Sequence, residues 1–353
     1  MSTIPVFDPA PARRKNAGIS HYPRPSGTQT GSLSDPVACE KLLSEWFGHP
    51  VILLSSGRVG LDLYLRAKGF NRYRHRLQVP PFLSRCVINS LTASVFPVDM
   101  SSVGDGVLFY HQYGFTQRAA PRHSVVLEDA AHSFFATADS GGHRWIGEAA
   151  TFSLPKFFPV AGMAGGIIVR NPEIEQKIRE LVRASLAAPP RVCEWMREII
   201  SCVYDPDPDA LKASFVDSAY ELLLKFPHPY APDLTGFPAS LEEIATVGLL
   251  RRERVRMFRD YFGDRAFPDG FVGANEILLS FALPYFGRGD AAVLERINSA
   301  LLERGIHAGI YHVDVRRDAY IPDYAKCVLL TCHQHISEAE FEEMCRTISI
   351  HEQ

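Results

Sequence analysis

Two residues near the middle of the chain have the types and settings that chemistry at a carbonyl carbon needs. Val125-Val126-Leu127-Glu128-Asp129-Ala130-Ala131-His132 is an apolar run that ends in acid. Such a run reads as a strand, which places Asp129 at its carboxyl end, where open α/β sheets bind their ligands. A carboxylate there either caps the next turn or pairs with a protonated ring nitrogen. In the second role it keeps a heterocycle cationic, able to accept electrons from a substrate carbanion. Phe152-Ser153-Leu154-Pro155-Lys156-Phe157-Phe158-Pro159 sets a lysine among Phe, Pro and Leu. Lysines are rarely buried unless paired. Lys156 either snorkels to water or is an amine whose pKa falls on burial, so that it forms an imine with an aldehyde. A third segment, Ser55-Ser56-Gly57-Arg58-Val59-Gly60-Leu61, is a small polar turn between a strand and a helix. It offers backbone N–H groups to a phosphate, although Ser and Gly also serve ordinary helix capping.

The elements that must position these groups alternate. Strands are expected at Val51–Ser55, Leu77–Val79, Ser94–Val98, Val107–Tyr110, Val125–Leu127, Ala150–Leu154 and Gly166–Val169. Helices are expected at Val59–Lys68, Arg85–Ala93 and Glu173–Ala187, and Asp35-Pro36 and Gly48 bracket an earlier one with cap chemistry. That order predicts an α/β fold, a mainly parallel sheet flanked by helices. Residues 189–260 turn helical, and Leu241–Phe262 carries apolar residues at helical spacing beside an Arg/Glu face read as exposed. The last hundred residues read strand, helix, strand, strand, helix (Glu276–Leu283, Ala291–Arg304, Ala308–His312, Lys326–Thr331, Glu338–Ile350), a smaller C-terminal α+β domain. The expected division is 1–230, a large domain with a Pro/Gly/Ser/Arg-rich N-terminal arm, and 231–353.

Composition excludes several classes. The 353 residues carry 37 basic and 40 acidic side chains, well mixed, which argues against nucleic acid or an anionic membrane as partner. The seven cysteines form no C-x-x-C pair, and the N-terminus lacks the apolar core of a signal peptide, so a cytoplasmic location is expected. No apolar run approaches a bilayer span. Cys332, His333 and His335 are the only grouping that suggests a metal, and without further ligands at suitable spacing none is expected. The glycine cluster Gly162–Gly166 precedes a strand, which rules out a dinucleotide loop, and no G-x-S-x-G elbow marks a hydrolase.

Taken together, the segments resemble the DegT/StrS-type sugar aminotransferases, fold-type I enzymes dependent on pyridoxal 5'-phosphate (PLP). The resemblance runs over most of the chain. It is carried by Ser56-Gly57, Val79-Pro80-Pro81-Phe82, Tyr110-His111-Gln112-Tyr113-Gly114, Glu128 to His132, Phe152-Ser153 with Lys156 and Gly165-Gly166, and Leu330 to Ser337. It implies that Lys156 holds PLP as a covalent imine and shuttles the proton, and that Asp129 binds the pyridine nitrogen. It further implies that His132 meets the phenolic oxygen and that Ser56, Gly57, Arg58 and Ser153 surround the phosphate. Phe82 is the nearest candidate to stack on the ring, since the aligned position is Ser84.

Three departures from the family pattern stand out. Arg58 replaces a threonine, the serine-to-lysine spacing is short, and Gly236-Phe237-Pro238-Ala239-Ser240 lacks the asparagine that family members lend across a dimer. The resemblance implies an aminotransferase that moves an amino group from a small-molecule donor, glutamate by analogy, to a keto acceptor such as a nucleotide-linked sugar. It also implies a homodimer. A dehydratase-type PLP reaction and a PLP-binding non-enzymatic relative are the alternatives; family dehydratases replace the lysine by histidine, which Lys156 contradicts.

Overall fold

The structure, a computed structural model, describes residues 22–23, 34–135, 145–204, 213–263, 267, 271 and 282–352. Most of the N-terminal arm and most of the strand expected at Glu276–Leu283 lie outside these residues. Helix α1 (Pro36–Phe47) begins as its chemistry dictates. Asp35 accepts hydrogen bonds from the amides of Val37 and Ala38, proline fills the first turn, and Gly48 closes the helix at φ +66°.

Seven strands then form one sheet: β1 (Val51–Leu54), β2 (Arg76–Gln78), β3 (Phe96–Val98), β4 (Gly106–Tyr110), β5 (Val126–Asp129), β6 (Ala149–Ser153) and β7 (Gly165–Val169). Their spatial order is β1-β7-β6-β5-β4-β2-β3. β2, β3, β4, β5 and β6 pair in parallel, whereas β7 runs antiparallel to both β6 and β1. β1 therefore points the same way as β6, and β7 alone is reversed. The sequence pattern predicts a mainly parallel sheet but not this reversal, because a strand buried along its whole length reads the same in either direction.

Helices α2 (Gly57–Ala67), α3 (Arg85–Thr92) and α4 (Pro172–Arg183) connect or follow these strands, and α5 (Pro190–Tyr204) and α6 (Ala213–Lys225) pair beyond them. α2 starts two residues earlier than the apolar pattern suggests, which makes Ser56 its N-cap and puts Gly57 and Arg58 in its first turn. Next come the long α7 (Leu241–Phe262), then β8 (Ala282–Tyr285), α8 (Ala291–Glu303), β9 (Ile310–Asp314), β10 (Tyr324–Thr331) and α9 (Glu338–His351). The last three strands form an antiparallel sheet ordered β8-β10-β9. One apolar cluster joins Leu43 and Phe47 of α1 to Phe152, Phe157 and Phe158 at and after the end of β6, to Ile244 and Phe258 of α7, and to Leu330 and Phe341. No helix among the described residues is long and apolar enough to cross a membrane.

Candidate active site

The carboxyl ends of the parallel strands converge on one cavity of about 390 Å³. β5 delivers Asp129, β4 delivers Tyr110, and β6 delivers Thr151 and Ser153 with Lys156 just beyond. The β1–α2 turn contributes Ser56, Gly57 and Arg58, and the segment after β2 contributes Phe82, Leu83 and Ser84. All eight residues singled out from the sequence line this space, including His132. Its volume falls in the usual range for a small-molecule site.

Asp129 owes its position to register. It pairs with Thr151 of β6 and with Tyr110 of β4, so three strand ends lie side by side. Its Oδ1 accepts the Ala131 amide at 2.9 Å. Burial pushes its carboxyl above the usual range, against the pull of Lys156 and that amide. Lys156 shows the converse: burial lowers its ammonium to about 8, opposed by Asp129 and reinforced by Arg58. A buried carboxylate and a half-buried lysine thus share one cavity, each destabilised in its charged form by desolvation. The preceding Glu128 points elsewhere, as alternation along a strand requires. It is fully buried against His111, Oε2 to Nε2 2.6 Å, and accepts the Gly147 amide. The Gln117 amide donates to His111 Nδ1 at 3.0 Å, so the imidazole carries its proton on Nε2 and donates it to Glu128. This pair braces β4 against β5 beneath the site.

The β1–α2 turn needs its glycine. A Cβ on Gly57 would meet the Phe152 carbonyl at 2.6 Å, and one on Gly165 would meet the Gly57 nitrogen at 2.6 Å. The helix start therefore lies directly on β6 and β7. Ser56 is 2% exposed, and its Oγ has no hydrogen-bond partner among the described residues. An oxygen left so, at a helix start whose first amides lack helical acceptors, fits an anionic ligand such as the PLP phosphate. Arg58 is half-buried in the cavity wall, its guanidinium 3.6 Å from the centroid of Tyr220 on α6.

His132 is held by two tyrosines. Its Nδ1 lies 2.7 Å from the Tyr110 hydroxyl, and its ring stacks on Tyr113 with centroids 4.9 Å apart. Tyr113 adopts φ +49°, a left-handed conformation costly for an aromatic residue and a mark of local constraint. Its neighbour Gln112 bonds the His312 carbonyl at 3.0 Å and the Asp314 amide at 2.9 Å, which ties β9 to the site. Phe82 also has positive φ, and one face of its ring is covered by His312 at a centroid distance of 4.2 Å. Ser84 is exposed beside it, with Oγ 2.8 Å from the Cys86 sulfur.

Sequence reasoning misses several lining residues: Tyr22, Cys86, Tyr110, Tyr113, Thr151, Met163, Tyr220, His307 and Tyr311. Tyr110 and Tyr113 stand inside one of the motifs quoted above. Cys86, Thr151 and Met163 flank or fall within segments already singled out, whereas Tyr22, Tyr220, His307 and Tyr311 arrive from distant parts of the chain and carry no local signal. The segment Gly236 to Ser240, which lacks the family's asparagine, is occupied structurally: Phe237 packs on Phe158 at 5.1 Å and Ser240 caps α7. His333 and His335 lie in the turn after β10, where the His335 amide donates to His333 Nδ1 at 3.2 Å. Among the described residues no group of three or more His, Cys, Asp or Glu side chains is placed to hold a metal.

Comparison with known proteins adds to this geometry. Residues 46–187, which include the whole Ser56–Lys156 constellation, match a family model described as "Putative PLP-dependent aminotransferase". No curated protein matches the sequence. Among solved structures, a DegT DnrJ EryC1 StrS aminotransferase from Brucella abortus superposes with TM-score 0.62 at 15% identity, covering 91% of this chain and 92% of that one. Spr1654 from Streptococcus pneumoniae, described as a "Putative sugar aminotransferase", gives 0.64 in its PMP form at 14% identity and 93% and 94% coverage. Helicobacter pylori PseC, an aminotransferase involved in the biosynthesis of pseudoaminic acid, gives 0.59 at 13% identity and 92% and 93% coverage. The fold is that of the fold-type I PLP enzymes. The family model matched by residues 46–187 is one of PLP-dependent aminotransferases, and the solved structures share its fold with this chain.

Proposed function

We propose that this cavity binds PLP and transfers an amino group from an amino acid to a keto acceptor. One observation carries the reading: Asp129 and Lys156 face one cavity from the ends of neighbouring parallel strands, with the unpartnered Ser56 hydroxyl in the same wall. Bound there, PLP would supply an electron sink for the negative charge that develops at the amino-bearing carbon.

The residues divide the work. Asp129 would stand against the ring nitrogen, and a cation at that point relieves the cost that burial imposes on its carboxylate. The Ser56 hydroxyl, the Gly57 and Arg58 amides and the Arg58 guanidinium would hold the phosphate, with Ser153 at the edge of the same group. His132, fixed by Tyr110 and Tyr113, would meet the phenolic oxygen. Phe82, which lines the cavity, would flank the ring. Lys156 would be the covalent anchor, and its neutral amine, once free, would take the proton from the donor's amino-bearing carbon and hold it for return. A depressed lysine pKa suits that base, because the amine is unprotonated at a usable fraction near neutral pH.

Spr1654, described as a "Putative sugar aminotransferase", supports a sugar as acceptor; a nucleotide link on that sugar and glutamate as donor come from the family resemblance alone. Retention of a lysine at position 156 favours transamination over the dehydratase-type reaction. The division into 1–230 and 231–353 is part of the same proposal, and the two sheets, spanning 51–169 and 282–331, fall on either side of it. The test is half-reaction spectroscopy. The holoenzyme, mixed with a panel of amino donors and then of keto-sugars, converts between its two cofactor absorbance forms only with true substrates. Absence of conversion with every amino donor rejects transamination.

A further inference from the structure

The apolar stripe of α7 contains one cation. Ile244, Gly248, Val255, Phe258 and Phe262 turn inward at helical spacing, and Arg251 lies in the middle of that stripe at 0% exposure. Burying a guanidinium is unfavourable unless its donors are engaged, so Arg251 does something there that an aliphatic residue could not. One terminal nitrogen, Nη2, donates to the carbonyl oxygens of Lys156 at 3.1 Å and Phe157 at 3.3 Å. The guanidinium also lies 4.8 Å from the Phe157 ring centroid and hydrogen-bonds the Cys332 sulfur. From the turn after β10, Gln334 Nε2 adds a second grip on the Phe157 carbonyl at 2.9 Å. On the other side of the turn, the amides of Phe157 and Phe158 both close onto the Leu154 carbonyl at 2.9 Å. The backbone that carries the Lys156 side chain is therefore held from below by the end of β6 and from above by two elements of the C-terminal half.

We propose that Arg251 is a positioning residue for Lys156: by fixing two successive carbonyls of its turn, it sets where the amine stands relative to Asp129. Gln334 is the second clamp of the same device. The inference rests on the reading of Lys156 as the cofactor-bearing lysine. A flat guanidinium can bond carbonyls with one edge while its face lies on Phe157 and its remaining edge reaches Cys332; a lysine ammonium at 251 keeps the charge but not the planar fork.

The experiment compares wild type, Arg251→Met, Arg251→Lys and Gln334→Leu by two readouts. The first is the pH midpoint of Lys156 acetylation in the cofactor-free protein, by competitive labelling with acetic anhydride and mass spectrometry. The second is the pH midpoint of the visible band after PLP is bound. Both report on the amine itself, and Gln334→Leu, which removes no charge, separates a change in the position of the turn from the loss of a nearby cation. Arg251→Met should move both midpoints by about half a pH unit or more; Arg251→Lys should move them less, and Gln334→Leu in the same direction. If Arg251→Met does not fold, the other two variants decide on the same criterion. Unmoved midpoints in folded variants, with a normal band in wild type, overturn the Arg251 proposal alone. A wild-type protein that binds no PLP at Lys156 overturns the underlying reading and this proposal with it.

Discussion

The Tyr110 hydroxyl lies 2.7 Å from His132 Nδ1, so the last residue of β4 fixes the imidazole that follows β5. With Tyr113 stacked on the same ring, His132 is oriented from two directions by residues with no acid–base duty of their own. Tyr110→Phe removes one hydrogen bond, worth about 1 kcal/mol, and should lower kcat roughly fivefold while leaving the fold intact. Steady-state kinetics beside a thermal melt check this. An unchanged kcat would show that His132 needs no such support.

Ser56 and Arg58 separate cofactor affinity from stability. Because the Ser56 Oγ has no partner among the described residues, Ser56→Ala should leave the melting temperature of the cofactor-free protein unchanged or raised. The same change should weaken PLP binding by about 1 kcal/mol. Arg58→Ala should weaken it by roughly 1.5–3 kcal/mol, the worth of a hydrogen bond to a charged group. Fluorescence titration of the cofactor-free protein with PLP measures both. Unchanged PLP affinity in Arg58→Ala with a raised KM for the acceptor would reassign the guanidinium to the substrate.

The lowered pKa of Lys156 has a sign that can be tested twice. The amine is neutral above about 8 rather than above 10.5, so capture of PLP by the cofactor-free protein should accelerate with pH around a midpoint near 8. The unfolded chain binds more protons than the folded one between those values. The cofactor-free protein should therefore gain stability as pH rises through that window, and Lys156→Met should flatten the trend. Stopped-flow absorbance and melts at several pH values provide the data; a capture midpoint near 10.5 contradicts the burial argument.

A homodimer is the expected assembly, since most soluble oligomers are closed symmetric pairs. Leu249 and Leu250, adjacent on α7, are 59% and 43% exposed and would be candidates for such an interface. Sedimentation velocity at micromolar concentration should give twice the mass of 39.3 kDa. A fully active monomer would exclude shared sites.

Much of the site is legible in the sequence, for a physical reason. Asp129 and Lys156 are charged residues in apolar runs, and burial that expensive leaves a local trace. Ser56 and Gly57 are legible because turn chemistry is local as well. Tyr22, Tyr220, His307 and Tyr311 are not, because each reaches the cavity by tertiary packing from a segment with no chemical signature. Arg251 is the instructive miss. The helical spacing from Ile244 to Phe262 places it on the apolar face, yet its charge invites assignment to the exposed Arg/Glu face. The reversal of β7 is invisible because its strand pattern carries no direction.

The most direct measurement of the central claim is covalent trapping. Purified protein is incubated with PLP, reduced with borohydride, digested and mapped by mass spectrometry. The account predicts a phosphopyridoxyl group on the peptide containing Lys156, lost in Lys156→Ala, which should still bind PLP reversibly through the phosphate cradle but should not turn over. Reduced cofactor on a different lysine, or on none, would contradict it.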